Sequence, residues 1–214
     1  MLASKSPTEQ RHHSAAPLAR QPVPEVLVAK LLSDLTHPDE DIRESAATRL
    51  TAFGESVVDQ LVHAVRTQND QVRWRVLPVL GAIGSKQALS GVLMCLYSEN
   101  TAISSAAAQI LGRSGDRTYV EPLLELLARR ASSGSAVWVI GALGDTGDRR
   151  AVAPIIDILH YTDSPSVRYT AIEALGKLGE KRALSHIIRY LDDPSHHVRE
   201  KTHIAVEALT RRNP

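Results

Sequence analysis

The sequence predicts an all-α fold, a right-handed α-solenoid of about six repeated helix pairs. The first observation is a Leu-Gly-x-x-Gly segment that occurs four times, with its second glycine at positions 84, 115, 147 and 179. These glycines are 31, 32 and 32 residues apart, and self-similarity at a period of about 20–50 residues is typical of stacked repeats. The second observation is composition: only 4% of residues are aromatic, and the small or unbranched apolar residues that dominate favour closely packed helices.

The first helix of each repeat is predicted from an apolar doublet. The doublets recur in steps of 30 to 32 residues, at Leu31-Leu32, Leu61-Val62, Val92-Leu93, Leu123-Leu124, Ile155-Ile156 and Ile187-Ile188. The second helices are predicted to begin near Ile42, Val72, Ile103, Ser135, Val167 and Val198. Capping residues or proline precede most of these starts. The second glycine of each Leu-Gly-x-x-Gly segment is predicted to end its helix in a left-handed conformation, whereas Pro78 is expected to bend or locally break its helix.

Length and composition limit the organisation of the chain. Residues 1–23 have no periodic apolar face and are predicted to be a disordered tail, and residues 24–214 are predicted to form the solenoid. The net charge of +1 argues against a nucleic-acid or anionic-membrane surface. The single cysteine, Cys95, fits a reducing compartment. Because there is also no secretory or membrane-spanning segment, a cytoplasmic protein without membrane contact is expected.

These helix pairs resemble HEAT repeats, in particular the short bacterial HEAT-like repeat named after the phycobilisome lyases. The resemblance covers residues 25–211 and rests on the Leu-Gly-x-x-Gly segments and on the dipeptides Ile42-Arg43, Val72-Arg73, Val167-Arg168 and Val198-Arg199. It implies that these arginines form a structural ladder with neighbouring turns, from which Ser104 and Ala136 depart. It also implies that the second helices line a concave face that commonly binds partners.

The candidate site lies on this concave face. On each second helix one stripe is predicted to face the core, as with Ala171, Ile172 and Leu175. The opposite positions hold both tryptophans, and Trp, Tyr and Arg dominate binding hot spots. An alternative is that the tryptophans only cover the ends of neighbouring helices. The predicted partner-binding residues are Trp74, Arg75, Arg113, Trp138, Tyr169, Glu173 and Lys177.

No catalytic or metal-binding residue is predicted. Cys95 lies in an apolar run and is expected to be buried and inert. His196 and His203 are seven residues apart, about 10 Å along a helix, which is too far to share one ion. His197 and His203 are expected to face different sides of the helix.

The sequence leaves three functions open. The leading hypothesis is a non-catalytic scaffold or adaptor, without a cofactor, that binds a protein partner on the concave face. The resemblance implies an alternative, a bilin lyase-like protein or chromophore chaperone, which would take a bilin and form a heterodimer with another HEAT-like subunit. A third alternative is a HEAT-like DNA glycosylase, against which the mixed charges of the concave face argue.

Overall fold

The computed structural model describes residues 23–130 and 134–211, and these residues form twelve α-helices and no β-strand. The helices are α1 (Glu25–Asp34), α2 (Glu40–Phe53), α3 (Val58–Thr67), α4 (Asp70–Ile83), α5 (Lys86–Met94), α6 (Thr101–Arg113), α7 (Val120–Arg130), α8 (Ala136–Asp145), α9 (Val152–Tyr161), α10 (Pro165–Leu178), α11 (Leu184–Ile187) and α12 (His196–Arg211). The predicted all-α fold is confirmed. Apart from Val23, the predicted tail lies outside the described residues, and the domain limits stay a prediction.

The helices pack as six consecutive pairs. Each odd-numbered helix, a first helix, contacts the even-numbered helix that follows it, a second helix. Each second helix also contacts the next second helix, from α2 through α4, α6, α8 and α10 to α12. This stacking is the α-solenoid that the repeat spacing predicts.

One hydrophobic core runs through the stack, from Val28 in α1 to Leu209 in α12. The stripe predicted on α10 is buried at Ala171, Ile172 and Leu175, each with 0% exposure. The side chains on the remaining positions of the second helices are therefore left to form a surface, which we call the second-helix face. None of the described helices combines the length and the apolar character needed to cross a bilayer.

The helix ends follow the predicted capping chemistry. The Asn69 side chain accepts a hydrogen bond from the Val72 amide at 3.1 Å, at the start of α4. The four second glycines have φ values of 65°, 71°, 64° and 74°, at Gly84, Gly115, Gly147 and Gly179. Left-handed backbone at these positions is confirmed, and it favours glycine because other residues are strained there.

Pro78 does not break its helix. Helix α4 continues through it from Asp70 to Ile83, so the local break is wrong, and the bend stays a prediction. Pro78 is exposed, and water can therefore bond the carbonyl whose helical donor proline lacks.

Candidate binding grooves on the second-helix face

The second-helix face carries two separate grooves. The C-terminal groove is lined by residues of α6, α8 and α10 together with Ser195 and His197, and it encloses about 590 Å³. The N-terminal groove is lined mainly by α2 and α4 and encloses about 910 Å³. Four of the predicted binding residues meet in the C-terminal groove: Arg113, Trp138, Tyr169 and Glu173. Trp74 and Arg75 line the other groove, so the predicted set is not one site.

The floor of the C-terminal groove is made of small residues. Gly141 and Ala142 line it, and a Cβ added at Gly141 would meet nothing closer than Thr170 Cγ2 at 3.9 Å. Trp138 lies three residues before Gly141 and is 49% exposed, whereas Tyr169 is half-buried. The groove therefore offers aromatic surface beside an open depression.

The second helices around this groove pack with their backbones almost in contact. A Cβ added at Gly112 would lie 2.8 Å from Ala142 Cα, and one added at Gly144 would lie 2.8 Å from Ala174 Cα. Side chains cannot occupy such short separations, so only glycine opposite a small residue allows this approach. These contacts fix how far apart α6, α8 and α10 lie, and hence the width of the groove.

At the edge of the groove, the Asp145 carboxylate lies close to two positively charged side chains, those of Lys177 and Arg113. Asp145 lines the groove, and its carboxylate lies 2.8 Å from Lys177 Nζ. The same carboxylate lies 3.9 Å from Arg113 Nε. Lys177 does not itself line the groove, but this ion pair places it beside the residues that do. The Arg113 side chain is 71% exposed and only weakly held, which leaves most of its donors free for a partner.

A second charged pair lies against the groove tyrosine. Lys201 Nζ is 3.2 Å from Glu173 Oε1 and 4.8 Å from the centroid of the Tyr169 ring. Burial acts to lower the pKa of Lys201, but hydrogen bonds with Tyr169 and Glu173 outweigh burial and raise that pKa above its ordinary value. Lys201 therefore stays protonated and holds Tyr169 and Glu173 in place. The predicted binding set does not include Lys201, because only the packing of α12 on α10 brings it there.

The N-terminal groove has the larger volume and is less organised. Trp74 is 44% exposed, and Arg75 is exposed beside it. Within the described part of the chain, the Arg75 guanidinium forms no ion pair, and neither does the Glu44 carboxylate of the same groove. This groove thus has an aromatic residue and charges that are not fixed to one another.

The sequence itself matches a repeat family over almost its whole length. Residues 25–111, 58–134 and 120–209 match the family described as HEAT repeats. The chain belongs to the HEAT-repeat family. No curated protein sequence matches this HEAT-repeat chain significantly.

Solved structures with the same fold include natural and designed repeat proteins. The complex of CpcE and CpcF of phycocyanin lyase from Nostoc sp. PCC7120 matches with a TM-score of 0.56 and 21% identity, over 92% of this chain and 91% of that chain. A designed armadillo repeat protein in complex with the peptide (KR)4 matches with a TM-score of 0.53 and 17% identity, over 85% of this chain and 99% of that chain. At these identities the likeness establishes the fold. The predicted HEAT-like repeat of the phycobilisome-lyase type is therefore confirmed at the level of repeat family and fold.

The arginine column of this HEAT-repeat chain is structural. Arg43 donates to the carbonyl oxygens of His37 and Pro38 at 2.8 and 2.6 Å, within its own repeat. Within the described residues, Arg168 is the one of the four arginines that reaches the next repeat, where its Nε lies 2.8 Å from Asp193 Oδ2. The expected ladder is thus mostly a set of bonds within repeats. Ser104 takes over the arginine's place in repeat three, since its hydroxyl donates to the Leu96 carbonyl at 2.6 Å.

A second set of arginines, which the sequence pattern did not single out, does connect HEAT repeats. Arg150 Nη2 donates to the Arg117 carbonyl at 3.1 Å, and Arg182 Nη2 donates to the Arg149 carbonyl at 3.0 Å. Their constant spacing from the second glycines was the available signal. These two bonds connect repeat four to repeat five and repeat five to repeat six, so residues outside the arginine column tie repeat four, which has Ala136 in place of the column arginine, to its neighbour.

Cys95 and the histidines of α12 are reactive side chains for which the sequence predicts no catalytic or metal-binding role. Cys95 is buried, and burial raises the pKa of its thiol, which agrees with the expected inert role. His196 and His197 come together with Glu200 and not with His203. The sequence pattern did not single out Glu200, although it lies four residues after His196 and three after His197 on the same helix.

Proposed function

We propose that this HEAT-repeat chain is a non-catalytic binding module that holds a segment of a protein partner in the C-terminal groove. The observation that carries the proposal is the meeting of Arg113, Trp138, Tyr169 and Glu173 around a floor of small residues. A half-exposed tryptophan beside a depression is the arrangement in which interface anchors are found.

The chemistry of the groove indicates what the partner segment would supply. An apolar side chain would fill the depression over Gly141 and contact the Trp138 ring. A carboxylate next to it would bind Arg113, whose side chain is 71% exposed. The paired charges of Lys177 and Asp145 would form the polar rim that excludes water from the contact.

Solved structures with the same fold support this class of function, although they do not identify a partner for this chain. HEAT-repeat solenoids present long surfaces formed by successive repeats, and such surfaces suit extended ligands. A designed armadillo repeat protein with the same fold is in complex with a peptide, and the phycocyanin lyase match is a complex of two chains.

A second candidate is chromophore binding, as in a bilin lyase-like protein. It is favoured by the structural match to a phycocyanin lyase complex over 92% of this chain. The C-terminal groove, with about 590 Å³ and an aromatic wall, is also within the size range of small-molecule sites. In this case the chain would work with a second HEAT-like subunit, and the groove would hold the bilin.

Peptide binding and chromophore binding are distinguished by a selection that does not assume which groove binds the ligand. A displayed library of random peptides is selected on the wild-type chain, and enriched peptides are then measured by fluorescence polarisation against variants. We expect Trp138→Ala to weaken peptide binding about 30-fold, because an effect of this size is typical when a hot-spot residue is removed. Trp74→Ala, the matched tryptophan of the other groove, should leave binding unchanged.

Two outcomes would contradict the protein-binding proposal. One is enrichment of peptides whose affinity does not depend on Trp138 or Tyr169. The other is a saturable red shift of biliverdin absorbance on adding the chain, lost in Trp138→Ala, with no peptide enriched. That second result would establish chromophore binding in its place.

A further inference from the structure

The start of α12 carries three potential metal ligands on one surface. His196, His197 and Glu200 each offer a ligand atom, and these atoms all lie within 4.8 Å of one another. The two imidazole rings meet edge to face, with centroids 5.8 Å apart and planes 87° apart. All three side chains are exposed, so a metal ion can reach them from solvent.

Helix geometry brings the three residues together. Glu200 lies four residues after His196 and three after His197, and residues at both spacings are neighbours on the surface of a helix. The grouping therefore depends on α12 being helical from His196 onward.

The three ligand groups are free of competing protein partners. Across residues 23–130 and 134–211, neither imidazole and no oxygen of Glu200 forms a hydrogen bond or ion pair with another side chain. Two other glutamates of the second helices are engaged, since Glu173 binds Lys201 and Glu207 binds Arg211. An ion would thus not have to displace an existing interaction.

We propose that His196, His197 and Glu200 form a binding site for a divalent transition-metal ion, with Zn²⁺ as the best match. Two imidazoles and one carboxylate form a ligand set that suits Zn²⁺, at about 2.0–2.2 Å from each ligand atom. A tetrahedral ion with these bond lengths needs ligand atoms about 3.4 Å apart, which rotation of exposed side chains can reach from their present positions. The fourth position is open to water.

Electrostatics make Glu200 the critical ligand. The N-terminus of a helix carries partial positive charge and disfavours a cation. The histidines bind as neutral imidazoles and cannot offset this charge, whereas the Glu200 carboxylate can. Removing that charge without changing the side-chain shape, in Glu200→Gln, is therefore expected to weaken Zn²⁺ binding as much as losing an imidazole.

The site adjoins the C-terminal groove, because His197 lines both. An ion held there could accept a carboxylate of a partner segment in its open position. This last point rests on the proposed function, but binding of the metal ion itself does not.

The test uses the untagged full chain and the metal ion alone. Zn²⁺ affinity is measured by competition with a chromophoric chelator, and bound Co²⁺ is followed by its visible absorption. His197→Ala and Glu200→Gln should each weaken Zn²⁺ binding at least tenfold and abolish the Co²⁺ absorption bands of a low-symmetry site. Circular dichroism checks that α-helix content is unchanged, as expected for exposed residues.

Two controls separate this site from other histidines. His203→Ala removes an exposed histidine of the same helix. His186→Ala breaks a separate histidine pair, in which His186 Nδ1 lies 3.1 Å from His160 Nε2. Both variants, and a His12→Ala/His13→Ala variant, should bind Zn²⁺ like the wild type. Equal affinity in Glu200→Gln and wild type, or loss of binding in His186→Ala instead, would overturn the proposal. Because no partner is present, either result leaves the peptide-binding experiment unaffected.

Discussion

The two grooves of the second-helix face are built from the same repeat yet differ in volume and order. In the C-terminal groove, Gly112 and Gly144 pack against alanines of the next second helix, and the groove encloses about 590 Å³. The N-terminal groove lies where repeat one has Thr51 at the position of these glycines, and it encloses about 910 Å³. Close approach of neighbouring second helices therefore accompanies a glycine that faces an alanine of the next helix.

The difference extends from spacing to charge. The charged residues of the C-terminal groove are paired across repeats, as in Lys177 with Asp145 and Lys201 with Glu173. In the N-terminal groove no such pair is present among the described residues. Close approach brings side chains of successive helices within ion-pair distance, and so a narrow groove is also a preorganised one.

The largest expected effect comes from filling the space between helices. Gly112→Val should lower the free energy of unfolding by at least about 3 kcal/mol, because the new Cβ meets the Ala142 backbone, which cannot move aside like a side chain. Urea denaturation followed by circular dichroism measures this loss.

Gly141→Ala is the matched control on the neighbouring helix. Its Cβ would meet only Thr170 Cγ2 at 3.9 Å, so stability should stay equal or rise by about 0.5–1 kcal/mol from better helix propensity. If Gly112→Val proved as stable as Gly141→Ala, close helix approach would not explain the narrow groove.

The next effect distinguishes the arginines of the two ends. Arg168→Met should cost about 3 kcal/mol, because it leaves the Asp193 carboxylate, only 4% exposed, without its counter-charge. Arg43→Met removes hydrogen bonds to two carbonyl oxygens but leaves no buried charge without a partner. It should lower the free energy of unfolding by about 1 kcal/mol. Equal losses in thermal or urea unfolding would mean that the two positions are equivalent after all.

An acid-dependent effect is expected in the C-terminal part. Hydrogen bonds from Arg150 lower the pKa of Asp148 from 3.8 to about 2. A carboxyl with a lowered pKa stabilises the fold fully above about pH 4, and this contribution is lost as pH falls through about 2. The equivalent residue at the start of repeat three is Ser85, whose hydroxyl accepts a hydrogen bond from the Ala88 amide and does not titrate in this range.

Replacing the carboxylate by this serine tests the difference. Asp148→Ser should lower stability by at most about 2 kcal/mol at pH 6, with the deficit shrinking toward zero near pH 2. Urea unfolding of both proteins from pH 6 to pH 2 follows the deficit. A deficit that is constant over this range would show that the Asp148 charge does not contribute.

The sequence allowed the repeat, the helix caps and the buried stripe to be predicted because each depends on residues close in the chain. Gly84 and Asn69 act on their own helix end, so local pattern is enough. The role of Gly112 depends on which residue of the next helix lies opposite, and that is known only once the helices pack. The alanine that follows it thirty residues later, Ala142, was the available signal.

The candidate site was predictable in residue type but not in grouping. Trp74 and Trp138 occupy equivalent faces, so the pattern could not place them in different grooves. The ion pair of Lys201 with Glu173 depends on the packing of α12 on α10, which no local pattern reveals. The grouping of His197 with Glu200 is local, and their spacing of three residues on a helix was the available signal.

The smallest expected effect concerns the two tryptophans. With exposures of 44% and 49%, both should be quenched to a similar degree by acrylamide in single-tryptophan variants made by Trp74→Phe or Trp138→Phe. A bound selected peptide should protect only Trp138. Protection of Trp74 by the peptide would assign binding to the N-terminal groove.

The most direct measurement of the central claim is the affinity of a selected peptide for two variants that each fill one groove. Gly141→Leu fills the floor of the C-terminal groove, where there is room for a side chain, and Ala82→Leu fills the N-terminal groove in the same way. We expect Gly141→Leu to weaken peptide binding at least tenfold with stability unchanged, and Ala82→Leu to have no effect. Unchanged affinity in Gly141→Leu would contradict the claim that the C-terminal groove is the binding site.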